Sequence, residues 1–180
     1  MINISLMFDK LCKDNRSDIN EHLPTLLEYG RMVDHITEFG VRNGQSTLAW
    51  WYAEPKILRC YDIDPCDIHH RLMVNIEKSN ELDYKFIQAD VLKIEIEETD
   101  LIFFDTFHSY TQLSNELLLH GDKSSRYLIF HDTATYGRRG EDHKKPGLIQ
   151  AIGEFLLDNK DWIVERNFKN NNGLIILKRT

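Results

Sequence analysis

Short apolar runs that keep alternating with polar, helix-compatible stretches restrict this chain to very few architectures. The runs are His35–Phe39, Lys56–Tyr61, Tyr84–Gln88, Asp100–Phe104, Arg126–Phe130, Trp162–Phe168 and Gly173–Lys178. Runs of about five residues rich in Ile, Phe and Tyr read as strands, and their near-continuous hydrophobicity predicts burial on both faces. Between the first five lie Ser46–Ala53, Asp67–Asn80 and Tyr110–His120, whose apolar residues recur at helical spacing. In Tyr110–His120, the face so defined holds Leu113, Leu117 and His120 and leaves Asn115 and Glu116 off it. Strand–helix–strand repetition with short connections makes a parallel sheet covered by helices on both faces, an α/β sandwich of Rossmann type. The end differs: after a helical Gly147–Asn159, two strands are joined by Lys169–Gly173, where Asn and Gly tolerate the positive φ of a hairpin turn. Ser17–Val33 reads as helical apart from Pro24.

Bulk properties narrow the function. With no repeat, linker or low-complexity tract, the 180 residues are expected to form one domain, residues 1–180. A net charge of -7 gives no general attraction to nucleic acid or to anionic lipid. Three cysteines, Cys12, Cys60 and Cys66, form no Cys-x-x-Cys pair, which suits a reducing compartment. No segment has the apolar length to cross a bilayer and no signal-type leader is present, so a cytoplasmic location is expected.

The first strand runs into Gly40-Val41-Arg42-Asn43-Gly44-Gln45-Ser46-Thr47. Glycines at a strand-to-helix turn permit tight geometry and close approach of a ligand. The Gly-x-x-x-Gly spacing lacks the third glycine of a dinucleotide fingerprint and the lysine of a P-loop, so neither a pyrophosphate nor a triphosphate is served. Glu38, just before the loop, suits a ligand carrying an ammonium. Such a turn alone serves equally as a structural bend, but its context favours a ligand. Asp62 ends the second strand about 20 residues on, where a ribose diol is gripped. Asp90 follows the third strand, where an acid meets an adenine amino group.

A second constellation closes the fourth and fifth strands: Asp105-Thr106-Phe107-His108 and His131-Asp132-Thr133. Neighbouring parallel strands bring their carboxyl ends together at the ligand crevice, and His143 of the following loop is within reach of it. Converging carboxylates and imidazoles serve as a general base, through His108 or His131 with Asp105, or as a divalent metal site on Asp105 and Asp132. Trp50, Trp51 and Cys60 read as core. Arg138, Arg139, Lys144 and Lys145 form a basic patch beside the crevice.

The stretches EHLPTLLEYG, ITEFGVRNGQST, CYDIDP, QADV, LIFFDTFHSY, YLIFHDTATYG and NNNGLIIL resemble class I S-adenosylmethionine-dependent methyltransferases, and more narrowly the small bacterial and viral group related to cephalosporin hydroxylase-like and macrolide-sugar O-methyltransferases. The resemblance covers most of the chain from about Glu21. It implies a seven-stranded, mostly parallel sheet of order 3-2-1-4-5-7-6 ending in an antiparallel strand, with an N-terminal helical segment, residues 1–33, covering the cofactor site through His22. It implies S-adenosylmethionine as cofactor, held by Glu38, Phe39, Gly40, Arg42, Gly44, Ser46, Asp62, Ile63, Asp90, Val91 and Asp105. The sugar-methylating relatives add Mg²⁺ on Asp105 and Asp132, although His131 departs from their acid-rich pattern. Only about ten residues separate Asp90 from Asp100, so the usual third helix is short or missing.

The expected activity is O-methylation of a small hydroxylated acceptor such as a sugar. The competing expectation is a cofactor- or partner-binding protein that keeps the fold without methyl transfer. A nicotinamide oxidoreductase is disfavoured by the glycine spacing.

Overall fold

The computed structural model describes residues 3–66 and 82–180. Its helices are α1 (Ile4–Cys12), α2 (Leu23–Gly30), α3 (Gln45–Ala53), α4 (Tyr110–His120) and α5 (Leu148–Asp158). Its strands are β1 (His35–Phe39), β2 (Ile57–Asp62), β3 (Asp83–Gln88), β4 (Thr99–Phe104), β5 (Ser124–His131), β6 (Trp162–Phe168) and β7 (Leu174–Arg179). They form one sheet in the order β3-β2-β1-β4-β5-β7-β6, with β7 antiparallel to both neighbours and the first five strands parallel. The turn Lys169–Gly173 does form a hairpin, with Asn171, Asn172 and Gly173 all at positive φ.

Strand side chains alternate between two cores, as the period of two requires. Ile36, Leu58, Leu101, Phe103 and Ile129 pack with Leu26, Tyr29, Leu48 and Trp50 of α2 and α3. Phe39, Ile102, Phe104, Leu128 and Phe130 pack with Leu113, Leu117, Ile152 and Phe155 of α4 and α5 on the other face. The central strands are buried nearly throughout, whereas edge strands β3 and β6 alternate with solvent. That contrast explains why the inner runs read as continuously apolar.

The structure departs from expectation in two places, ahead of α2 and at Glu116. Helix α1, capped by the Asn3 side chain on the Leu6 N–H, falls within the N-terminal helical segment that the resemblance implies. The helix expected over Ser17–Val33 covers only Leu23–Gly30, because Pro24 sits in its first turn, where a missing N–H costs nothing, and so starts the helix. Residues 14–22 instead make a turn-rich strap. Glu116 is not off the buried face of α4: it is 1% exposed, at the i+3 position from Leu113. The expected helix Asp67–Asn80 lies outside the described residues. Between β3 and β4 only a short 3-10 turn, Val91–Lys93, replaces a helix. No described helix is long and apolar enough to cross a membrane.

Trp50 is fully buried, its ring edge-on to Phe103 at 5.6 Å. Trp50→Ala is expected to cost about 3–5 kcal/mol in urea unfolding, since no neighbour can fill the space of an indole.

Candidate active site

In-register pairing of Phe39 with both Tyr61 and Phe104, and of Phe104 with Phe130, sets the carboxyl ends of β2, β1, β4 and β5 side by side. A cleft of about 640 Å³ opens along this edge, lined among others by Gly40, Arg42, Asp62, Ile63, Asp90, Val91 and Asp105. The glycine loop is shaped by two contacts. Gly40 has φ 86, and a Cβ there would lie 2.1 Å from the Asp105 carbonyl oxygen, so only glycine lets β1 and β4 leave the sheet so close together. The Asp62 carboxylate then accepts from the N–H groups of Val41 (2.7 Å) and Arg42 (2.9 Å) through one oxygen, and from Asp64 (2.9 Å) through the other. Burial alone would raise its pKa, but these amides outweigh burial and hold it below the usual carboxylate value. Arg42 takes up φ 45 and pairs its guanidinium with Asp18 of the strap at 2.8 Å.

Further along, Asp90 caps the 3-10 turn through the Leu92 N–H and pairs with Lys93 at 2.9 Å. Ile63 and Phe107 line the same cleft with 66% and 51% of their surface exposed. Two large apolar side chains left in water at one cleft suit a flat apolar ligand.

Four residues of the expected cofactor set stand behind this surface rather than on it. Phe39 is core, edge-on to Tyr61 and Phe104, and Gly44 heads α3 in left-handed conformation. Ser46 is buried in the first turn of α3. Glu38 is fully buried; Thr47 donates to its Oε2 at 2.6 Å and its Oε1 has no hydrogen-bond partner. Burial pushes the Glu38 pKa up to about 7, only partly opposed by the hydroxyls of Ser46 and Thr47 and the Cys60 thiol. Asp105, beside Gly40, is on the cleft itself, as is Asp62.

Asp105, His108, His131 and Asp132 do converge. His108 Nε2 lies 2.9 Å from Asp132 Oδ2 and 3.3 Å from Asp105 Oδ1, and its Nδ1 is 2.9 Å from Glu141. His131 Nδ1 lies 3.1 Å from Asp105 and 3.3 Å from Asp132, while its Nε2 meets the Asp18 carbonyl at 3.1 Å. Asp132 reaches this position through a left-handed backbone, φ 58, which a short polar side chain tolerates. His108 also stacks on Tyr136, 4.9 Å between nearly parallel rings. Burial on its own would lower both imidazoles; the two carboxylates overcome it and hold each up to about 10. The same pairing drives Asp132 well below its ordinary value. His131 is 2% exposed, whereas His108 borders Thr106 and Phe107, which also line the cleft. Asp105, His131 and Asp132 each offer a ligand atom within 4.8 Å of the others, and the buried Asp132 Oδ1 has no partner.

From the loop after β5, Glu141 reaches His108; His143 is exposed on the same loop, as are Arg138, Arg139, Lys144 and Lys145. His22 bonds the Asn170 and Asn171 carbonyls of the hairpin and lies edge-on to His131 at 5.8 Å. Thr106, Phe107, Gln112 and Glu141 line the cleft without having been singled out by sequence. An acid at a core position of α4, Glu116, was the signal that could have drawn attention to Thr106 and Gln112, which both bond to it at 2.5 and 2.8 Å.

By sequence, no family model and no curated protein matches this chain. The likeness is three-dimensional. A candidate caffeoyl-CoA O-methyltransferase from Staphylococcus aureus superposes with TM-score 0.70 at 12% identity, over 100% of this chain and 93% of its own. The SAH-bound methyltransferase from Podospora anserina gives 0.68 at 15%, over 100% and 89%. The N-methyltransferase NodS from Bradyrhizobium japonicum gives 0.64 at 18%, over 92% and 98%. The fold is that of the class I methyltransferases. Structures of this fold include an O-methyltransferase and an N-methyltransferase by name, so the fold by itself does not decide a substrate.

Glu38 supplies a test of this architecture that needs no ligand. Its pKa is raised from 4.5 in the unfolded chain to about 7 in the folded one. The stability associated with the neutral carboxyl is therefore fully present below pH ~4.5 and lost as pH rises through ~7. Glu38→Gln removes this ionisation, so the fall in Tm between pH 5 and 8 should shrink by on the order of a few degrees relative to the parent, as read by scanning calorimetry.

Proposed function

We propose that the protein is an S-adenosylmethionine-dependent methyltransferase acting on the hydroxyl of a small acceptor such as a sugar. The observation that carries this is the charge of the cleft: among the described residues it is lined by Asp62, Asp64, Asp90, Asp105 and Glu141 and by one guanidinium, that of Arg42. A lining so acidic repels phosphates and attracts a ligand with a sulfonium and an ammonium. Asp62 retains lone pairs for a ribose diol beyond its three amide bonds, and Ile63, Val91 and Phe107 provide apolar surface for a base. Asp90 stands at the base end and Asp105 at the end nearest the glycine loop.

The sulfonium supplies an already activated methyl group, so the protein's task is to align the acceptor oxygen and take its proton. Asp105 and Asp132 hold His108 at the rim, and the acceptor proton passes to His108 Nε2 once that atom is free. His131, buried between the same carboxylates and the strap, positions them. Because both imidazoles are held protonated in the free protein, a base made of His108 alone gains activity as pH rises toward ~10. Asp105, Asp132 and His131 also fit a divalent cation, for which the unpartnered Asp132 Oδ1 is the supporting observation. Bound there, Mg²⁺ would polarise the acceptor hydroxyl and cancel the charge that keeps His108 protonated. Arg138, Arg139, Lys144 and Lys145 are exposed on the loop that carries Glu141.

Calorimetric titration with S-adenosylmethionine should show saturable binding, with Asp62→Ala weakening it by about tenfold or more. Equal affinity for NAD, or no binding, would sink the reading; binding without transfer of a labelled methyl group to any hydroxylated metabolite would leave a non-catalytic binder. In a second experiment, His108→Ala should lose ~100-fold or more in turnover and keep its cofactor affinity. Chelation separates the two forms of the site: a base acting alone is indifferent to it and climbs through alkaline pH, whereas a metal-assisted one stops and is restored by Mg²⁺.

A further inference from the structure

Glu116 is the buried acid of α4 that the chemistry above does not use. It is 1% exposed and sits among Leu113, Leu117 and Thr106, yet it is not idle. Its Oε1 accepts from the Thr106 hydroxyl at 2.5 Å and from the Gln112 amide nitrogen at 2.8 Å. Both donors line the cleft, as do Phe107, Asp90 and Val91. Both bonds end on one oxygen, so they stand whichever protonation state the other oxygen adopts.

A glutamine amide normally turns either its NH₂ or its carbonyl toward a ligand, because the two ends are close in size. Here the choice is made from behind. The Gln112 nitrogen is committed to Glu116, and turning the amide over would set its carbonyl against Oε1, an oxygen already accepting from the Thr106 hydroxyl in a buried site, which is strongly disfavoured. The carbonyl oxygen is what remains for the cleft. Resting on the reading of this cleft as an adenosyl site, we infer that Gln112 reads the exocyclic amino group of the base, with Glu116 as the positioning residue that fixes its amide. The cleft therefore discriminates a 6-amino purine from a 6-oxo purine, whose oxygen would meet the Gln112 oxygen without a proton between them. A buried polar site that leaves one group unpaired with the wrong ligand discriminates far better than an apolar wall.

The test is a calorimetric comparison of S-adenosylhomocysteine with S-inosylhomocysteine, the same molecule with the amino group replaced by oxygen. The parent protein should favour the adenosyl compound by about tenfold or more. Gln112→Leu, at a half-buried position, should weaken the adenosyl compound by about tenfold and leave the inosyl compound within about twofold. Glu116→Gln, which keeps shape but frees the amide to turn, should narrow the preference with Gln112 still in place. A merely structural role would weaken both compounds equally in either variant, and that result overturns the inference. So does full discrimination retained in Gln112→Leu, even with tight adenosyl binding, in which case the cofactor reading survives and this one fails. If neither compound binds the parent protein, the adenosyl reading of the cleft falls and takes the inference with it.

Discussion

The backbone of Gly40 packs directly against the carbonyl of Asp105, and the rest of the site depends on that contact. β1 and β4 are hydrogen-bonded neighbours to their last residues, and the Asp105 N–H still donates to the Phe39 carbonyl at 2.9 Å. Beyond that point the two chains must part in different directions with almost no space between them. A residue without Cβ at positive φ achieves this, and the loop is then free to curl back over β2. There Asp62 takes hold of the loop amides, so one carboxylate both shapes the loop and faces the ligand. A side chain at position 40 would therefore disturb the sheet edge as well as obstruct the cleft.

Charge is distributed across this edge in two different manners. On the cleft, Asp62 is held ionised by loop amides and Asp90 by Lys93 and the Leu92 amide. Behind it, Glu38 and Glu116 are buried without a cation and are pushed toward neutrality. The cluster at β4 and β5 is a third case, in which two aspartates and two histidines compensate one another. Such a group exchanges protons as a unit, so the charge of any one member depends on what binds beside it. A cationic ligand in the cleft, or a divalent ion on the aspartates, acts on the same balance and shifts the imidazoles toward their neutral form.

The strap of residues 14–22 adds a tertiary restraint. Asp18 reaches Arg42 of the glycine loop and, through its carbonyl, His131; Glu21 and His22 hold the β6–β7 hairpin. It thus links the two halves of the edge across the top of β1 and β5. Its bonds to Arg42 are exposed and individually weak, whereas its contact with His131 is partly buried.

Strand identity and order of chemistry along the chain were legible because they depend on local patterns. Inner strands buried on both faces show as unbroken apolar runs, and a parallel sheet necessarily gathers the residues that follow each run at one edge. Gly40, Asp62, Asp90, Asp105, His108, His131 and Asp132 could thus be picked from spacing alone. What spacing does not carry is direction and depth. Glu38 and Asp105 fall on the same side of the sheet by register, yet Glu38 lies inside β1 beneath α3, while Asp105 lies one residue beyond the end of β4, on the cleft. Pro24 reads as a breaker until the position of the helix start is known. Glu116 looks like a solvated residue between two leucines until α4 is laid on the sheet with Thr106 and Gln112 around it. The sequence by itself determined the succession of strands along the chain, the glycine turn and the set of ionisable groups, because these follow from periodicity and backbone sterics. Only the tertiary structure decided which of those groups lose water and which face a ligand, because burial and hydrogen-bond partners are set by contacts between residues far apart in the chain.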